Sequence, residues 1–122
     1  MLVAMENNLK SNLVDLQREI EKIPEIQGNA TDRHTKVLVK VDDFKLVMIS
    51  LNKGAHIHEH KAPGRILVQT LKGHIQFKLP TETLEMPKGS LITVEPHVPH
   101  DVTALENSVF LLSIFTPVNK TE

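Results

Sequence analysis

Between residues 36 and 115 the chain is built from short runs, "KVLVKV", "FKLVMISL", "HIHEH", "RILVQTLK", "HIQFKL", "ETLEM", "SLITVE", "HDVTAL" and "SVFLLSIF", each bounded by turn-forming residues. Turn signals recurring about every eight to twelve residues predict an all-β sandwich or barrel. Ahead of them the hydrophobic period changes. Leu9, Leu13, Leu16, Ile20 and Ile23 recur at steps of four and three with charged residues between, which predicts an amphipathic helix ended by Pro24. The segment "PEIQGNATDRHT" reads as a linker, so residues 1–35 are expected to form a helix and linker and residues 36–122 the β-domain.

Composition narrows the function classes. The chain has 122 residues, the length of a single domain, and no cysteine, which removes disulfides, thiolate metal sites and a cysteine nucleophile. Fourteen basic residues against fifteen acidic ones, with no Lys/Arg block and neither Trp nor Tyr, argue against a nucleic-acid partner. No apolar run approaches membrane-spanning length, and the start "MLVAMENNLK" is unlike a secretory leader. A cytoplasmic protein with no membrane partner is expected. "FKLVMISL" and "SVFLLSIF" are apolar at nearly every position, so both faces of those strands need cover, from the barrel core on one side and from the helix or a second subunit on the other. That predicts a homodimer in which the helix and the outer sheet face take part.

Histidine is the residue type most pointedly placed. His56, His58 and His60 alternate in "HIHEH", and strand alternation sends all three to one face, neighbours about 7 Å apart. Two such imidazoles reach one ion, whereas His56 and His60 are about twice as far apart. A solvated polar face is the alternative for an isolated pair in this spacing. His100 follows a strand and the prolines Pro96 and Pro99 in "GSLITVEPHVPHDV", and supplies a third imidazole far along the chain.

The two stretches "HEHKAPGRILVQTLKG" and "GSLITVEPHVPHDV" together resemble the two motifs of the cupin superfamily over roughly residues 37 to 115. On that resemblance His58 and His60 match the paired histidines of the first motif, Gly73 its hairpin glycine, Gly89 the glycine opening the second motif, and His100 its terminal histidine. The resemblance implies an antiparallel jelly-roll barrel with a small-molecule site in its mouth and a divalent transition metal, Zn, Ni, Fe or Mn, on His58, His60 and His100. "EHKAPG" is similar to a signature of small single-domain cupins.

Two departures bear on that site. Counting back from Gly73, the position of the family's glutamate ligand falls on Ile66, and Gln69 is the nearest substitute as a fourth ligand or as a hydrogen-bonded polar side chain in the barrel. In the second motif His97 stands where the family's turn has glycine. His56, His97 and Arg65 are the candidates for contacting a ligand, with solvated surface positions as the alternative for Arg65 and Lys61. Glu59 has the wrong parity for the interior, and His34 and His74 are expected in solvent. No phosphate-binding glycine loop or nucleophile elbow is present. Two functions fit: a metal-binding barrel with a small-molecule site, its reaction and even its being an enzyme left open, or a non-catalytic barrel that binds or senses a small ligand without an essential metal.

Overall fold

The computed structural model describes residues 11–23 and 33–117, and all nine expected runs are strands. In chain order they are β1 (Arg33–Val41), β2 (Phe44–Leu51), β3 (His56–His60), β4 (Ile66–Lys72), β5 (His74–Lys78), β6 (Thr83–Pro87), β7 (Leu91–Val94), β8 (His100–Ala104) and β9 (Ser108–Phe115). They form two antiparallel sheets, ordered β1-β2-β9-β4-β7 and β3-β8-β5-β6, the two layers of a jelly-roll. β1 starts at Arg33 rather than Lys36, so the last part of the stretch read as linker is already sheet. Its polar opening hides the strand from a search for apolar alternation.

Alternation along β2 and β9 sorts their side chains between two cores. Val47, Ile49, Leu51 and Phe110 face the inner core with Ile66, Val68, Ile75 and Phe77, while Met48, Val109 and Leu111 form a second cluster on the outer face of the five-stranded sheet. Helix α1 (Leu16–Glu21) covers that outer cluster with Leu16 and Ile20, and Ile23 follows just beyond it. The helix therefore supplies the outer cover that these apolar strands require. An ion pair from Lys36 on β1 to Glu19, 2.6 Å, fastens its polar side and holds the Glu19 carboxyl below the usual carboxylate range.

The helix is shorter than its periodicity suggests. Asp15 caps it by accepting a hydrogen bond from the Arg18 amide at 3.0 Å, so Leu13 lies ahead of the helix and is 99% exposed. Leu13 does not belong to the apolar seam; Leu9 and Pro24 lie outside the described residues. Leu16→Ala is accordingly expected to lower stability by about 1 to 3 kcal/mol, the range for a partly buried leucine, whereas Leu13→Ala should stay within about 0.5 kcal/mol of the parent. Urea denaturation of the two variants side by side reads this difference, and equal losses would contradict the packing described. No helix among the described residues is long and apolar enough to cross a membrane.

Candidate ligand cavity beside the histidine strand

The two sheets enclose a cavity of about 480 Å³ whose wall is largely apolar, with Ile49, Ile66, Val68, Phe77, Val102 and Phe110 among its lining residues. Its volume lies within the range of small-molecule sites. The polar groups on it are His56, His58, His60, His100 and Arg33. Among the described residues no aspartate or glutamate lines it.

His100 is the buried member of this set, 8% exposed, at the start of β8. Its Nδ1 lies 3.0 Å from the Val98 carbonyl, and as donor in that bond it leaves Nε2 free to face a ligand. The ring stacks on Phe77, centroids 5.3 Å apart, and meets His60 edge-on at 5.8 Å. Burial pushes the His100 imidazolium below its ordinary pKa and nearby His60 adds to this, while the Val98 carbonyl and Asp101 pull the other way. A histidine with a lowered folded pKa is neutral in both states above about pH 6.5; below that the unfolded chain takes up the proton first. Stability is therefore expected to fall as pH drops from about 7 to about 5, and His100→Gln should flatten that fall. Denaturation midpoints across that range measure it; an unchanged slope in the variant would assign the loss to other groups.

All three histidines of β3 line the cavity, but their pairing with β8 is irregular. His56 opposes Thr103 and Ile57 opposes Val102, but His60 opposes His100, because β3 carries one residue more than β8 between the last two pairs. This bulge turns His60 towards His100 and Ile57 towards the core. His56 points with Thr103 and Asp101, its Nε2 3.5 Å from the Asp101 carboxylate, and His58 stacks on His56 with centroids 4.4 Å apart. Of the expected trio, all of which line the cavity, His60 and His100 meet ring to ring while His58 stacks on His56. Among the described residues no group of three or more His, Asp or Glu side chains is arranged to hold a metal ion.

The remaining candidates lie elsewhere. Gln69 opposes Leu91 on β7 and Leu111 on β9, and Leu111 belongs to the outer cluster, so Gln69 faces away from the cavity. Parity counted back from the hairpin fails because β4 has a bulge between Thr70 and Lys72. Ile66, at the position of the family's acid, is 3% exposed in the cavity wall. Arg65 is forked onto Glu95 at 3.2 and 3.3 Å and His97 is exposed, and neither lines the cavity. His97 adopts φ 67°, the left-handed conformation of the glycine it replaces, with its amide donating to the Ala62 carbonyl at 2.8 Å. His74, expected in solvent, is half-buried with Nε2 3.2 Å from Glu85. Arg33 is the cavity residue that sequence reasoning missed, because it fell in the presumed linker; its only signal is the β-branched Thr35 and Val37 that follow at strand spacing.

Fold and cavity together define a cupin-type barrel, and solved structures agree. A cupin superfamily protein from Desulfitobacterium hafniense matches with a TM-score of 0.70 at 15% identity, over 75% of this chain and 84% of that one. A conserved protein of unknown function from Streptococcus pyogenes matches with a TM-score of 0.71 at 26% identity, over 93% of this chain and 94% of that one. A cupin 2 conserved barrel domain protein from Leptotrichia buccalis is also similar, TM-score 0.67 and 26% identity, over 75% of this chain and 44% of the other. No protein-family model and no curated protein matches the chain. The chain has the jelly-roll fold of the cupin superfamily.

Proposed function

We propose that this barrel is a small-molecule binding protein that takes a largely apolar ligand into the cavity between its sheets. The observation that carries the reading is the cavity itself, about 480 Å³ with a largely apolar wall whose polar groups, among the described residues, are four histidines and one arginine. Such a lining binds the body of a ligand by removing apolar surface from water and orients it through a few hydrogen bonds. The donor set speaks for this over a metal centre. Ile66 stands in place of an acidic ligand and His58 is stacked on His56, so the side chains as placed do not make a three-ligand set.

Chelator-treated protein should bind small alcohols, amides or acids carrying a phenyl or cyclohexyl group, read by ligand-observed NMR. Val68→Phe, which fills the wall from a residue 1% exposed, should abolish that binding while the protein still melts cooperatively. Binding unchanged in a folded Val68→Phe protein would place the ligand elsewhere. A metal site is the second reading, supported by the His60 and His100 rings 5.8 Å apart and the free Nε2 of His100. Calorimetry with Zn and Ni tests it: one-equivalent binding lost in both His60→Ala and His100→Ala, yet kept in His56→Ala, would move the proposal to a metal-dependent barrel. A homodimer belongs to the proposal as well, supported by the exposed apolar side chains Val37, Val41, Leu91 and Phe115, and light scattering at micromolar concentration reads it.

A further inference from the structure

Among the groups lining the cavity, one carries a fixed charge. Arg33 opens β1 and is paired in register with Leu51 of β2. Leu51 is 1% exposed and itself lines the cavity, and residues directly opposite one another in an antiparallel pair project from the same side of the sheet. The guanidinium therefore belongs to the cavity side of β1, at its exposed end. Elsewhere Lys36 is held by Glu19 and Arg65 by Glu95. Among the described residues Arg33 has no ion-pair or side-chain hydrogen-bond partner, and none of the acidic ones lines the cavity to neutralise it.

An arginine left unpaired at the mouth of an apolar chamber presents a planar fork of donors with the geometry of a carboxylate. A ligand that satisfies both ends has a hydrocarbon body and one anionic head. Resting on the ligand-cavity reading above, we propose that the ligand is an apolar carboxylic acid bound as its anion, and that Arg33 is the residue that selects it by pairing with the carboxylate. The imidazoles of His60 and His100 stand on the same cavity and offer ring nitrogens to the head group without requiring a second fixed charge. The guanidinium, with no carboxylate among the described lining residues to offset it, disfavours cationic ligands.

The test compares each acid with its neutral amide. Hexanoate, cyclohexanecarboxylate and 4-phenylbutanoate are titrated into the full chain by calorimetry beside the corresponding amides, at about pH 8, where the acids are ionised and ordinary imidazoles are mostly neutral. At least one acid is expected to bind about tenfold to a hundredfold more tightly than its amide, the range for hydrogen bonds to a charged group. Arg33→Gln should bring that ratio close to one while leaving amide binding in place, and Arg33→Lys, which keeps the charge but not the fork, should retain part of it. Because Arg33 is exposed at a strand end, its variants are expected to melt with the parent. Equal binding of acid and amide by the parent, or a preference that survives Arg33→Gln, overturns the assignment to Arg33 and leaves the cavity reading standing. Failure of every acid and every amide to bind overturns both.

Discussion

Phe77→Ala is expected to lower the unfolding free energy by about 3 to 5 kcal/mol, among the largest losses available from a single side chain in this protein. Phe77 is 1% exposed and sits in the middle of the four-stranded sheet, opposite Leu84 of β6 and Val102 of β8. Its ring is both cavity wall and stacking partner of His100, so truncation removes apolar burial and joins the vacated volume to an existing chamber. That void is bounded on several sides by rigid strands and has little scope to collapse, which places the cost towards the upper end. His100 would lose the ring that helps to desolvate it, so its pKa should move back up towards the ordinary histidine value. Urea denaturation and the His100 NMR titration measure the two effects. A loss below about 1.5 kcal/mol would mean that the wall is not closely packed.

Gly73→Ala should cost about 2 to 5 kcal/mol, from two separable causes. Gly73 has φ 81°, where a residue with a Cβ is strained by about 1 to 2 kcal/mol. A Cβ there would also overlap the Asn107 carbonyl and the Ser108 hydroxyl. That hydroxyl accepts from the His74 amide at 2.9 Å and donates to the Glu106 carbonyl at 2.7 Å, so it has no free direction in which to retreat. Gly89 provides the control. Its φ of 93° carries a similar conformational penalty, but nothing lies within 4 Å of a Cβ built on it, so Gly89→Ala should show the conformational part alone. Equal losses at the two glycines would remove the steric argument.

How far the molecule was legible in its sequence depended on whether a local pattern decided the outcome. All nine strands were, because alternation and turn residues act over a few positions and the sheets reinforce them. The helix start was misplaced because Leu13 fits the seam's spacing, yet the cap belongs to Asp15, and a capping hydrogen bond ends the helix whatever apolar residue precedes it. At the site, the closeness of His60 and His100 followed from the motifs, while the ring pairing of His58 with His56 and the face of Gln69 did not. Each sits at or near a bulge, in β3 and β4, and a bulge shifts every later side chain to the other face without requiring a glycine to mark it. Arg33 was missed because β1 is held by pairing with β2, a long-range interaction that its own polar residues do not announce.

The sheet borders have a consequence for solubility. Among the described residues the strands at the sheet borders are β1, β7, β3 and β6. β1 is interrupted between Val37 and Val39 and carries Arg33, Lys36 and Lys40; β3 is bulged beside Glu59; β7 has four residues; β6 ends at Pro87. Each of these devices blocks the addition of a foreign strand, the first step towards amyloid-like stacking, by twisting, charging, shortening or withholding a donor. The sheet borders thus oppose the edge-to-edge growth of copies of this chain into fibrils.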